Sequence, residues 1–238
     1  MDQPNQTLAV SLDDCPQWHG GIEHYAVWCL PVEDPAWITF IHRAQSALSP
    51  WLHPSYQRQP HITLFAAGLV DKKSNLEAML AAQIQSLELY SLSPVLLTPS
   101  ALSTFSTAPW LGLTDPNGQL NRLRSRLSQV FCEDSPPARY QPHITLGFYR
   151  ETYPLAPIHT ALNQLSSDAL RLPPLRLDRL HLCYYRTREV QGRLWIKKTV
   201  ILADRAEAPS AGAQLQQSFR GTRQVFQLAG QQADKGTG

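Results

Sequence analysis

The sequence predicts a domain of mixed α and β class, because strand-like runs and helical periodicities interleave along it. Of its 238 residues 43% are hydrophobic and 9% aromatic, enough apolar content for one packed core. Lys and Arg number 21 against 19 Asp and Glu, a net charge of +2. So balanced a chain does not hold a long duplex by bulk electrostatics, whereas a small anionic ligand needs only a few local cations.

Residues 1–21, with Pro4, Asp13, Asp14, Pro16 and Gly20, read as an irregular lead-in to a domain over 22–203. Tyr25 to Leu30 is a strand by composition, ended by Pro31. Asp34-Pro35 fits an N-cap followed by proline at the first helical position, and Trp37, Ile38, Ile41, Ala44 and Leu48 follow at helical spacing. A second helix is expected from about Ser74 to Leu87, on Leu76, Met79, Leu80 and Ile84. A third begins near Gly118 on Leu120, Leu123, Leu127, Val130 and Phe131, with Arg122, Arg124 and Arg126 on its wet face. Strand-like runs lie at Val95–Thr98, Trp110–Leu113, Leu175–Tyr185 and Leu194–Leu202.

From Asp204 onward the composition changes. Seven glutamines, scattered glycine and few apolar residues predict a mostly disordered tail over 204–238, with Leu215, Phe219, Val225 and Phe226 as a weak docking patch. No run of about 18 apolar residues predicts a membrane span. The start of the chain lacks the basic and apolar pattern of a secretory signal. Cys15, Cys29, Cys132 and Cys183 are widely spaced without a CxxC pair, as reduced thiols of a cytoplasmic protein are. A monomer is expected.

One repeat stands above these features. Gln59-Pro60-His61-Ile62-Thr63-Leu64 recurs unchanged as Gln141-Pro142-His143-Ile144-Thr145-Leu146. By chance an identical hexamer in such a chain has odds on the order of one in a thousand. A residue before proline is pushed toward extended backbone, and proline is tolerated as the first residue of a strand. Alternation then puts His61 and Thr63 on one face, about 6.6 Å apart, with Ile62 and Leu64 on the buried side. The same holds for His143 and Thr145. If the two strands lie side by side about a pseudo-two-fold axis, two imidazoles and two hydroxyls converge.

Such a set suits cleavage of a phosphodiester. One neutral histidine takes a proton from the attacking oxygen and one protonated histidine gives a proton to the leaving oxygen, both states coexisting near the histidine pKa. Threonine hydroxyls hydrogen-bond the nonbridging oxygens. A single histidine in a strand is more often structural. Duplication of His-x-Thr without change argues otherwise, because core packing fixes volume rather than residue identity. The spacing offers no third ligand for zinc, so neither metal nor cofactor is expected.

The paired segments resemble the two H-x-T/S-x signatures of the two-histidine (2H) phosphoesterase superfamily, which includes bacterial 2′-5′ RNA ligase-like proteins and cyclic nucleotide phosphodiesterases. The similarity covers about residues 22–202, and neither tetrapeptide departs from the pattern. The resemblance implies a bilobal α+β fold, two antiparallel sheets lining a central cleft with helices outside. It also implies His61 and His143 as catalytic residues and Thr63 and Thr145 as phosphate-binding residues. The substrate would be an RNA end or small cyclic nucleotide carrying a 2′,3′-cyclic phosphate, opened to a 2′-phosphate. The same site run toward synthesis would make a 2′-5′ RNA ligase, and a third reading is a non-catalytic RNA-end or nucleotide-binding module, against which the intact His and Thr pairs stand. On the run from Leu180 to Tyr185, alternation puts His181, Cys183 and Tyr185 on one face. Tyr185 is a candidate to stack on a base, and Arg186 or Arg150 to meet a phosphate. His19, His24, His42, His53 and His159 are read as structural or surface residues.

Overall fold

The lead-in is irregular but anchored. Thr7 and Val10 donate backbone hydrogen bonds to Tyr153 O and Tyr149 O, both at 2.9 Å, before a one-turn helix α1 (Pro16–His19). The computed structural model describes residues 5–71, 73–90 and 92–203, all within the unit spanning residues 1–203, so the tail expected from residue 204 lies outside the described residues.

β1 (His24–Pro31) forms where the sequence is most continuously apolar and is buried from Tyr25 to Leu30. α2 (Pro35–Leu48) starts as the Asp34-Pro35 pair dictates: the Asp34 carboxylate accepts from Ala36 N at 2.9 Å and Trp37 N at 3.2 Å, satisfying two orphan donors. The repeated segment opens β2 (His61–Leu69), followed by α3 (Leu76–Glu88), β3 (Val95–Thr104) and β4 (Pro109–Thr114). α4 (Gln119–Ser128) is capped by Asp115, which accepts from Gln119 N and Leu120 N. The second repeat gives β5 (His143–Thr145), then α5 (Leu155–Ala169), β6 (Leu175–Leu177), β7 (Arg179–Arg186) and β8 (Trp195–Ile201).

All strands pair antiparallel in two four-stranded sheets, ordered β2-β1-β7-β8 and β5-β4-β3-β6. The run β1-α2-β2-α3 recurs as β4-α4-β5-α5, and each repeated strand is the edge of its sheet. This is the bilobal α+β architecture with internal pseudo-symmetry. The single run expected over Leu175–Tyr185 is in fact two strands in different sheets. The chain crosses over at Asp178, whose carbonyl accepts from Leu202 N at 2.7 Å, while the alternating pattern continues on both sides and hides the break.

One face of the first sheet (Ala26, Trp28, Leu30, Ile62, Leu64, Leu180, Leu182) joins the helices and the second sheet in a single apolar core. Buried Gln83 ties this core together by accepting from Trp28 Nε1 at 2.7 Å and donating to Leu127 O at 3.0 Å. A bulge makes Leu64 an extra residue between the pairs Cys29–Thr63 and Trp28–Phe65, so Leu64 and Phe65 both face the core. The opposite face carries His61, Thr63, Cys29, His181, Cys183 and Tyr185.

Candidate active site at the repeated strands

The two edge strands β2 and β5 pack directly against each other. Each copy places its side chains as the sequence pattern demands: Ile62, Leu64, Ile144 and Leu146 are fully buried in the core, and the His and Thr side chains take the other face. Across the sheets, His61 lies opposite Pro31 and Thr63 opposite Cys29, while His143 lies opposite Gly112 and Thr145 opposite Trp110. Gly112 is required by space, since a Cβ there meets Ala101 O at 2.8 Å.

The two imidazoles are held identically. His61 Nδ1 lies 2.7 Å from Gln59 O, and His143 Nδ1 lies 2.7 Å from Gln141 O. A carbonyl oxygen only accepts, so each Nδ1 carries the hydrogen and each Nε2 is left with its lone pair in the neutral ring. The Gln59 side chain fixes the first copy further, donating to Leu194 O at 3.2 Å and accepting from Leu194 N at 3.0 Å.

Burial lowers the His61 pKa to about 4 against the pull of the Gln59 carbonyl, with the nearby charges of Arg58 and His143 adding to the depression. His143 is shifted down as well, by burial opposed by the Gln141 carbonyl. The strands that carry the two rings, β2 and β5, are in contact. A cavity of about 410 Å³ opens beside His61, with Cys29, His181, Cys183, Leu194 and Ile196 in its walls. The His143 ring is flanked by Phe105 edge-on at 5.1 Å and by Trp110 at 5.9 Å.

Among the other expected residues, Tyr185 packs on the sheet face that carries Cys29 and Cys183. It stacks on Tyr25 at 5.3 Å, and the Arg58 guanidinium lies 4.4 Å from its ring centroid. Arg186 is exposed and ion-paired to Glu189 at 2.9 Å. Arg150 donates to Pro50 O at 3.0 Å and to Tyr153 Oη at 3.2 Å and lies 3.5 Å from Glu151. His19 is buried against Asp14, and His53 meets Val10 O at 2.7 Å. The four cysteines are free, with the Cys29 and Cys183 sulfurs 3.5 Å apart.

The expectation that Arg124 lies on a wet helix face is wrong. Its side chain is 15% exposed and forms an ion pair with Glu133, itself 7% exposed, and donates to Leu64 O. Glu133 in turn accepts from Ala66 N at 2.9 Å, and Tyr140, lying under the Arg124 guanidinium at 4.1 Å, donates to Thr63 O at 2.9 Å. Helical spacing puts Arg124 four residues after Leu120 and three before Leu127, at the apolar stripe and on the opposite side from Arg122 and Arg126. Its long side chain therefore turns inward where β2 offers an open carbonyl. Three residues around β2 are thus supplied from the second half of the chain. Arg58 was also not singled out by the sequence, although it directly precedes the first Gln-Pro-His, as Tyr140 precedes the second.

Among the described residues no group of three or more His, Cys, Asp or Glu side chains is placed to hold a metal ion, and no helix is long and apolar enough to cross a membrane.

The fold is similar to that of a conserved protein of unknown function from Agrobacterium tumefaciens, at 13% identity and TM-score 0.56, over 76% of this chain and 86% of that one. Usb1 of Kluyveromyces marxianus is similar at 13% identity and TM-score 0.50, over 77% of this chain and 98% of that one. LigT of Escherichia coli, in complex with 3′-AMP, matches at 18% identity and TM-score 0.47, over 76% of this chain and 99% of that one. No curated protein matches. The model of the 2′-5′ RNA ligase superfamily matches residues 32–189, a span that contains both histidine strands, the whole second sheet and two of the four strands of the first. With its duplicated histidine strand, its two antiparallel sheets and this match, the chain belongs to the 2′-5′ RNA ligase superfamily.

Proposed function

We propose that the chain is a cytoplasmic, metal-independent phosphoesterase that opens a 2′,3′-cyclic phosphate on an RNA end or small nucleotide by acid–base catalysis between His61 and His143. The observation that carries this reading is the identical tethering of both rings, Nδ1 to the carbonyl two residues upstream, which leaves two Nε2 atoms for one phosphate.

The deeper and more strongly depressed His61 is the base. Its Nε2 takes a proton from water as the water oxygen bonds to phosphorus. The bond from phosphorus to the 3′ oxygen breaks in line, and that oxygen takes the proton from Nε2 of protonated His143, leaving a 2′-phosphate and a 3′-hydroxyl. Thr63 and Thr145 hold the nonbridging oxygens, where charge gathers. A 5′-hydroxyl in place of water gives a 2′-5′ bond by the same steps, so the family description fits both outcomes. Incubating a cyclic-phosphate oligonucleotide with and without a 5′-hydroxyl acceptor separates them.

The pH dependence follows from the two depressed pKa values. kcat/KM should rise through about pH 4 as free His61 becomes neutral. It should fall again below the ordinary histidine value of 6.5 as His143 loses its proton. A flat profile over that range removes the pair from the mechanism.

A further inference from the structure

We propose that Arg58 is the anion-binding residue of this site, its guanidinium gripping a nonbridging oxygen of the phosphate that lies between His61 and His143. The proposal rests on the phosphoesterase reading and adds to it a permanent cation beside the two imidazoles and two hydroxyls.

Arg58 is placed by its neighbours. Gln57 N donates to Gln191 O at 3.1 Å, and the Gln59 side chain is bonded in both directions to Leu194, so the backbone on each side is fixed. The guanidinium lies over the Tyr185 ring at 4.4 Å, and behind Tyr185 the rings of Tyr25 and then Trp18 continue the stack at 5.3 and 5.8 Å. Stacking holds a guanidinium by its face and leaves its N–H edge for another partner.

That edge is short of partners. Arg58 Nε is buried without a hydrogen-bond acceptor. By contrast Arg43, Arg124, Arg150, Arg179 and Arg186 each meet a carboxylate. Among the described residues no carboxylate pairs with Arg58, whose side chain hydrogen-bonds Tyr185 and leaves Nε unmet. A buried donor on a fixed cation is a site awaiting an anion, and phosphate oxygens suit its planar fork. The charge of Arg58 also reaches His61 and favours the neutral ring. Around His61 the titratable groups are Arg58, His143 on β5, Cys29 on β1, His181 and Cys183 on β7, and Glu33 after β1, whose carboxylate is taken by Arg179 at 2.6 Å.

The test uses the full chain. Binding of inorganic phosphate and of adenosine 2′-monophosphate is measured by calorimetric titration for the wild type, Arg58→Gln and Arg58→Lys. Arg58→Gln should weaken both by on the order of tenfold or more, as loss of a charged hydrogen bond does, with part of the affinity restored in Arg58→Lys. In Arg58→Gln the acid limb of kcat/KM should move to higher pH, since His61 then holds its proton more tightly, and Arg58→Lys should move it back. Phosphate should also shift the Arg58 Nε–H resonance of the unmodified chain, which serves if the variants do not fold. Unchanged affinity and an unchanged limb in folded Arg58→Gln, or an unmoved Arg58 resonance at saturating phosphate, overturn the proposal. A wild type that binds phosphate through Arg58 but opens no cyclic phosphate refutes the phosphoesterase reading alone. A wild type that binds no phosphate overturns the Arg58 proposal.

Discussion

Replacing His61 or His143 by alanine is expected to lower turnover of a 2′,3′-cyclic phosphate by about 10²–10⁴-fold each, the range that a positioned acid or base contributes. The two act on one proton circuit, so the double variant should fall well short of the product of the single losses. The effect should lie in kcat more than in KM, because the lost groups act on the transition state. Both side chains point away from the core, and their neighbours Ile62 and Ile144 keep the fold. Far-ultraviolet circular dichroism and melting should therefore be nearly unchanged. Full activity of either single variant removes the acid–base pair.

The second large effect is on stability. Removing either partner of the Arg124–Glu133 pair should destabilise the chain by about 3–5 kcal/mol, because the other charge is left buried and unpaired. In melting experiments that is on the order of 10 °C. The damage would centre on β2: Leu64 O loses its donor when Arg124 goes, and Ala66 N loses its acceptor when Glu133 goes. Arg122→Ala is the control, since that exposed side chain reaches only Asn117 O, and surface changes of this kind fall within about 0.5 kcal/mol. Urea unfolding that gives Arg124→Ala and Arg122→Ala the same stability would show that the pair contributes nothing.

The arrangement of the two histidines was legible because the information is local and doubled. Gln-Pro sets extended backbone, alternation sets the face, and the repeat states that both halves do the same. α2 was legible for a similar reason, since its cap and first residue are adjacent in sequence. What was hidden depends on contacts distant in sequence. α5 is masked in the sequence by Pro154 and Pro157 at its start, yet a proline in the first turn costs no hydrogen bond, and Ile158, Leu162 and Ala169 still bury one stripe. β5 repeats the sequence of β2 but stops after three residues, because Gly147 turns away at φ +155°, where a Cβ would meet Leu52 at 2.9 Å. Arg58 has no signature in one dimension, and for Arg124 the spacing to Leu120 and Leu127 gives the helix face but not the partner. Each is defined by the tyrosine beneath it, Tyr185 and Tyr140, and only the fold supplies those.

The central claim is that both histidines serve one phosphorus atom. Phosphorus NMR of an oligonucleotide ending in a 2′,3′-cyclic phosphate follows that atom directly, with the wild-type chain and with His61→Ala and His143→Ala beside it. The account predicts that the wild type replaces the cyclic resonance with that of a 2′-phosphomonoester, or with a 2′-5′ diester when a 5′-hydroxyl is supplied, while both variants leave it standing. A cyclic resonance that survives a stoichiometric amount of the folded wild type, or that vanishes at the same rate with either variant, contradicts it.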